Sequence, residues 1–478
     1  MSGVRRNNAS TRLHANVVKK FVHRFPDLIY DGTVVKCLVC ETTLLTWKAS
    51  QCQRHINSDK HKSNKSRRRS YNEFVGDITM MFIATNIPMQ KVEHPMFRQF
   101  WNKYNPSWKL PARSTLRNYV PSKRERIVNC TKNTVKNKFL WLTIDETTDI
   151  KKQSILAILV RTLTPQGPSP PYLLTCKRMQ ECTARAIYDV LIETLHKFEI
   201  LPKQVLMLVT DAAKVMCSTA NLLKTVQPNL LHVTCLLHAL HLVTNTIRTT
   251  YPDVDQLIGQ TKAVFLKSPK RIRLFHSQCP DIPEPPQPIL IRWGTWLEAA
   301  FYYYKHFEKI KSVILQLDAK EAAAIRLSQV QFNNPQVAAN LKIIYDSYVP
   351  ILDAIKKLQN TALSLSDSLA IIDHVKLVLH ILEDEKSDCV REKFNSVLDK
   401  NVDFTKLGQL FTNTEDPLYR YKEHFNYANI TSLDVEQSFS VYKDIYTSRR
   451  TNLSETNRET YIMVQFFHRA HPHFFATM

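Results

Sequence analysis

The chain has 478 residues, 44% of them hydrophobic, and a formal net charge of +22 at pH 7. That length exceeds one ordinary core and predicts roughly two to four units, with enough apolar content to exclude wholesale disorder. Its seven glycines, at 3, 32, 76, 167, 259, 294 and 408, never share a phosphate-cradling loop, which excludes a P-loop, a dinucleotide-binding Rossmann unit and any nucleotide cofactor.

Residues 1–70 hold 15 Lys/Arg against four Asp/Glu, a net +11 that is half of the total charge. A concentrated basic arm attracts phosphate backbones through counterion release. The plainer readings are solubility or a localisation signal, and Lys65-Ser-Arg67-Arg68-Arg69 suits either. Cys37-Leu-Val-Cys40, His55 and His61 close the spacing C-x2-C-x14-H-x5-H. Two thiolates from a tight turn and two imidazoles complete a tetrahedral Zn²⁺ site. In so small a unit the metal would supply much of the folding energy. Residues 33–36 and 42–47 predict a hairpin, and 49–58 a helix presenting His55, giving a ββα finger. Cys52 is a spare thiol, packed or exposed.

This segment resembles a BED-type finger and, more closely, that of the CGG triplet repeat-binding protein, over about residues 16–66. The resemblance implies double-stranded DNA as partner, with helix 49–58 and the basic run after His61 near the groove and phosphates. Arg54, Lys60, Lys62, Lys65, Arg67, Arg68 and Arg69 are then the candidate contacts.

From residue 138 the text turns β-prone. Runs at 139–145, 154–163 and 172–179 read as strands, followed by a helix at 183–198 with Ile187, Val190, Leu191 and Leu195 on one face. Strand 204–210, helix 212–226, strand 230–236 and helix 237–249 complete the order β-β-β-α-β-α-β-α. That is the order of an RNase H-like core, whose first and fourth strands are neighbours. Asp145 and Asp211 would then converge, where carboxylates can share a hard cation. Taken singly, Asp145 suits a turn and Asp211 a helix N-cap. Glu146 and Asp149 read as exposed or as outer support for the site.

Residues 250–424 carry long helical patterns at 296–317, 337–359 and 364–382, with a proline-rich connector at 280–288. This block reads as an all-α insertion. After it, Asp434-Val-Glu436-Gln-Ser-Phe439-Ser-Val-Tyr442 sets Val435, Phe439 and Tyr442 on a face that can dock on the sheet. Glu436, beside that face, could reach the two aspartates; by itself it is an ordinary first-turn Glu favoured by the helix dipole.

Residues 70–478 resemble the hAT family of DNA transposases. Asp145, Asp211 in Val-Thr-Asp-Ala-Ala, and Glu436 in Val-Glu-Gln-Ser-Phe-Ser match its three acids. Cys235-Leu-Leu-His238 matches its C-x-x-H signature, Arg292-Trp293 its Arg-Trp element, and Arg450-Thr-Asn-Leu453 its downstream Arg-x-Asn-Leu. The stretch 87–119 is similar to the segment preceding the catalytic domain in relatives. The resemblance puts Cys235 and His238 in the active-site surroundings. From the residues alone, a core Cys and a buried His are the plainer reading. Arg292 and Trp293 offer a cation and a stacking plate for a flipped or single-stranded base, or a Trp anchoring the insertion. Two departures stand out: an insertion of about 180 residues, short for the family, and Gln437 where an Arg is usual.

The expected organisation is therefore 1–70, finger with basic arm; 71–135, helical intermediate segment; 136–249, first part of the RNase H-like core; 250–424, α-helical insertion; and 425–478, C-terminal core helices and dimerisation region. The implied chemistry is Mg²⁺- or Mn²⁺-assisted phosphodiester cleavage and strand transfer by Asp145, Asp211 and Glu436, in a homo-oligomer joined through C-terminal helices. Two rivals stay open: a host-adopted, non-catalytic DNA-binding transcriptional regulator that uses the finger, and an RNase H-like exonuclease. No apolar run spans a bilayer and no signal-peptide pattern opens the chain. Ten cysteines without a dense framework suit a reducing compartment, and the basic arm favours the nucleus.

Overall fold

Strands buried on both faces read as unbroken apolar runs, and the central runs of this chain form such a sheet. The computed structural model describes residues 22, 24–30, 34–44, 49–286, 288, 293–447 and 453–472. The chain divides into two units, Met1–Lys123 and Arg124–Met478.

In the first unit, β1 (Leu28–Tyr30), β2 (Val35–Cys37) and β3 (Thr42–Leu44) form an antiparallel sheet in that order. The expected hairpin is present as β2–β3, with residues 33 and 45–47 outside the described residues; β1 is an addition. Helices α1 (Ala49–Asn57) and α2 (Asp59–Ala84) follow. They break at Ser58, whose hydroxyl accepts the N–H of His61 at 3.2 Å and so starts the second helix. Val22, Leu28, Val35, Cys37 and Cys52 are the buried apolar residues of this corner, so Cys52 packs. Next, aromatics of α3 (Pro95–Tyr104) and of the segment after it pack on α2: Phe74 lies 5.4 Å from Trp101 and 5.1 Å from Trp108. Helix α4 (Arg113–Val135) carries the chain into the second unit.

There the sheet comprises β4 (Leu140–Thr148), β5 (Ser154–Thr162), β6 (Tyr172–Arg178), β7 (Val205–Thr210) and β8 (Leu231–Thr234). The spatial order is β6-β5-β4-β7-β8. The first three strands are antiparallel neighbours, and β4–β7 and β7–β8 are parallel. The parallel crossovers are α5 (Ala184–Lys197), capped by Thr183, and α6 (Lys214–Val226). Strand β4 runs three residues past Asp145, pairing with β5 to Thr148 opposite Ser154. Asp145 is thus inside a strand, not at the end expected.

Among the described residues, everything from α7 (Leu236–Thr250) to the C-terminus is helical or irregular. Next come α8 (Pro252–Phe265), α9 (Pro269–Gln278), α10 (Thr295–Leu315), α11 (Ala323–Asn333), α12 (Pro335–Leu358), α13 (Leu365–His380), α14 (Glu385–Asp399) and α15 (Val402–Gln409). The chain closes with α16 (Leu433–Ile445) and α17 (Glu455–Ala470). One apolar core runs from Trp141 and Val209 in the sheet through Leu240 to Tyr303, Ile344 and Phe394 in the helices. The outer margin of β8 is covered by side chains. Asn401 Oδ1 accepts Thr234 N–H at 2.9 Å and its Nδ2 donates to Thr234 O at 2.8 Å. Asp403 Oδ2 accepts His232 N–H at 2.8 Å and also binds Lys224. Edge backbone groups that would otherwise need water or another strand are thereby satisfied.

Candidate metal centres

Two sets of side chains gather metal-ligating atoms within 4.8 Å of one another among the described residues: Cys37, Cys40, His55 and His61, and Asp145, His238 and Glu436.

The end of β2 supplies Cys37 and the turn after it Cys40, α1 supplies His55, and the first turn of α2 supplies His61. His61 Nδ1 lies 3.5 Å from Cys37 Sγ, 3.5 Å from Cys40 Sγ and 3.3 Å from His55 Nε2. Edges of a tetrahedron built on Zn–S of about 2.3 Å and Zn–N of about 2.0–2.1 Å have these lengths, so the donor set is compatible with Zn²⁺. Its outer support was not foreseen. His61 Nε2 lies 3.3 Å from Asp27 Oδ2, which also takes Lys65 Nζ at 2.6 Å. A carboxylate on the remote ring nitrogen fixes the tautomer that leaves Nδ1 free as a ligand. The Lys65 hydrogen bond, outweighing partial burial, holds the Asp27 carboxyl below its ordinary range. Burial foremost pushes the Cys37 thiol up. Arg54, Lys60, Lys62, Lys65, Arg67, Arg68 and Arg69 are all exposed, and all but Arg54 stand on α2. Arg69 pairs with Glu73.

In the second set, Asp145 comes from β4, His238 from the first turn of α7 and Glu436 from the first turn of α16. The connection into α16 is pinned to the start of α7: Leu236 N–H donates to Ile430 O at 3.1 Å, and Ser432 N–H to Cys235 Sγ at 3.2 Å. Ser432 Oγ also lies 3.4 Å from His238 Nδ1. His238 Nε2 then faces Glu436 Oε1 at 3.9 Å. Val435, Phe439 and Tyr442 are buried, as their shared face implied.

Burial is the main cause that raises the Asp145 carboxyl to about 7; Asp211 and Glu436 add to it, while His238 and the Glu146 N–H oppose it. For His238, burial favours the neutral ring. The Cys235 hydrogen bond and the charges of Cys235, Asp145 and Glu436 overcome that and bring it up to about 9. Burial likewise opposes ionisation of Cys235, but His238 and Ser432 outweigh it and lower the thiol. Cys235 and His238 thus stand as a coupled pair beside the two acids. Cys235 and His238 are more than an inert core Cys and His: His238 joins the set.

Asp211 stands level with Asp145, each two residues beyond the register pair Thr143–Val209. Its Oδ1 accepts Ala213 N–H at 3.1 Å, an N-terminal turn that delays α6 to Lys214. It acts on Asp145 through space, but it is not one of the three side chains that close within 4.8 Å. The ring of Trp293 meets that of His238 edge-on, centroids 5.3 Å apart, which brings Trp293 to the site. Gly294 follows at φ +74°, where a Cβ would meet Leu352 at 3.0 Å; glycine there lets the chain turn into α10. Arg292, and Arg450 and Asn452 of the downstream motif, lie outside the described residues. Gln437 is exposed.

Of the two expectations for Asp149, exposed or outer support, exposure does not hold. It is buried, its Oδ1 accepts Lys151 N–H at 2.8 Å and Gln153 N–H at 2.9 Å, and Oδ2 accepts the Tyr442 hydroxyl at 3.2 Å. It closes the β4–β5 turn and ties α16 to it.

Residues 111–264 match the family described as a domain of unknown function (DUF659), a domain found in hAT-family transposase-like proteins. The matched stretch runs from α4 to α8 and includes Asp145, Asp211, Cys235 and His238. A search among curated proteins finds no match. The stretch around the sheet is thus similar to a domain found in transposase-like proteins. Among the described residues no helix is long and apolar enough to cross a membrane.

Proposed function

We propose that the protein is a hAT-type transposase or a close derivative that cleaves and joins phosphodiesters at DNA ends. The observation that carries this reading is the meeting of Asp145 and Glu436, 291 positions apart in the sequence, beside Asp211 on a sheet of order 3-2-1-4-5. That order supports an RNase H-like core at 136–249 and 425–478, with 250–424 as its helical insertion and 71–135 as an intermediate segment.

Asp145, Glu436 and, after a rotation out of its own turn, Asp211 would hold Mg²⁺ or Mn²⁺. The carboxylates suit either. Bound, such cations would supply activation of the attacking hydroxyl and stabilisation of the leaving oxygen. The imidazolium of His238 places a positive charge beside both acids, suited to a scissile phosphate. Trp293 offers a plate for an unstacked base. The Zn²⁺ finger, BED-like, would bind double-stranded DNA through Arg54, Lys60, Lys62, Lys65 and Arg67–Arg69. Association through the C-terminal helices and a nuclear location complete the reading.

A second reading is a non-catalytic DNA-binding regulator. One observation favours it: the finger has all four ligands gathered, whereas Asp211 is bonded to its own helix start. The deciding experiment incubates full-length protein and Asp145→Asn with Mg²⁺ or Mn²⁺ and duplexes carrying the sequences that flank its gene. Cleavage by wild type that is lost in the variant supports the enzyme. Tight duplex binding with no cleavage by either supports the regulator.

A further inference from the structure

Arg161 on β5 and Asp434 on α16 lie 273 positions apart and form a two-armed ion pair, Nε to Oδ2 at 2.7 Å and Nη2 to Oδ1 at 2.7 Å. Both side chains are buried, 8% and 3% exposed. The third nitrogen of Arg161 binds Ser169 O in the β5–β6 loop, and the guanidinium lies over the Trp141 ring at 5.8 Å. The fork is therefore fixed by strand, loop and ring before Asp434 meets it. A planar two-armed contact sets an angle as well as a distance.

We infer that this fork is a positioning device for Glu436, fixing how α16 is rotated about its own axis. The inference rests on the proposed role of Glu436 in holding a divalent cation. Positions 434 and 436 project about 200° apart on a helix of 3.6 residues per turn, so the fork grips one side of the first turn while Glu436 emerges from the other. A carboxylate standing about 6 Å from the axis moves about 2 Å for a rotation of about 20°, enough to separate it from Asp145 and His238. On the fork's side the first turns of the helix border open space. The pair floors a cleft of about 460 Å³, bordered by Pro168, Pro170, Gln437 and Ser440. The Cys235–Ser432 contact pins the chain just before the helix, the buried Val435, Phe439 and Tyr442 seat its inner face, and the fork fixes the angle of the first turn.

Removing one partner strands a buried charge and unfolds more than it informs. The test is the full-length double variant Arg161→Met with Asp434→Leu, since apolar replacement of a whole buried pair is commonly neutral for stability, together with Arg161→Lys, which keeps the charge and loses an arm. Mn²⁺ binding is read by calorimetry, and crystal structures read the Glu436–His238 separation with no metal required. Expected are a thermal midpoint near that of wild type, Mn²⁺ affinity at least about tenfold weaker, an Arg161→Lys value in between, and a separation wider than 3.9 Å. A double variant with unchanged separation and unchanged Mn²⁺ affinity overturns the inference. If wild type itself binds no Mn²⁺ while the separation widens in the double variant, the positioning stands and the cation-binding reading falls.

Discussion

His238 Nε2 and Glu436 Oε1 face each other at 3.9 Å, across a gap that Asp145 closes from β4. The trio couples protonation to stability with a definite sign. Asp145 is raised from 3.8 to about 7 by burial first, so the folded chain keeps a proton that the unfolded chain releases between those values. This group therefore costs increasing stability as pH rises through that window. His238, brought from 6.5 to about 9 against its burial by Cys235 and the acids, contributes stability that is full below 6.5 and lost as pH rises through 9.

Both slopes run the same way. In metal-free buffer, Asp145→Asn is expected to equal wild type near pH 4 and to exceed it in stability at pH 8. Urea titrations at the two pH values check this, and equal differences at both would count against it. At pH 8, added Mn²⁺ is expected to raise the midpoint of wild type and leave that of the variant unmoved.

The finger gives a second expectation. Cys37→Ser removes a ligand and is expected to lose stoichiometric zinc. Asp27→Asn keeps all four ligands but frees the His61 ring, and is expected to weaken zinc affinity about 10- to 100-fold. Competition with a chromophoric chelator measures both. Wild-type affinity in Asp27→Asn would show that the carboxylate orients nothing.

The clamp on β8 gives a third. Burial would raise Asp403, but Lys224, the His232 N–H and Lys406 outweigh it and lower the carboxyl. Its contribution is therefore present above 3.8 and lost as pH falls through the lower folded value. Asp403→Asn is expected to cost about 1–3 kcal/mol at pH 7 and less in acid. Asn401→Ala, which orphans both Thr234 groups, is expected to cost about 2 kcal/mol at either pH. Urea unfolding with a fixed m-value reads both.

Tyr442→Phe tests the tie between α16 and the β4–β5 turn. Loss of the hydroxyl's bond to the buried Asp149, and of the one it accepts from Arg458 Nη1 at 3.0 Å, is expected to cost about 2–3 kcal/mol, visible as a shifted urea midpoint. Asp149→Ala, which also opens the turn, is expected to cost more.

Legibility followed physical range. Strands 140–148 and 205–210 announced themselves because both faces are apolar, and α10 because its buried residues recur every three or four. Strand β1 is three residues long, too short for any period to register. The zinc ligands were readable because they fall within 25 positions; Asp27, 34 positions from His61, carries no local signal. Asp145 and Glu436 were found as carboxylates in informative surroundings. His238 read as a core residue because what recruits it, Ser432 and Glu436, lies almost 200 positions on. The capping tendency of Asp211 was legible too, and it governs that side chain.

The span of the second set also orders the chain's maturation on the ribosome. All four zinc ligands have been made by residue 61, whereas Glu436 is added 375 residues later, about 20–75 s at ordinary synthesis rates. Through that interval a nascent chain holds a complete Cys/His set and an incomplete set of acids. Under the proposed function, a message broken between those points would yield a binder that competes with the full-length product for the same DNA.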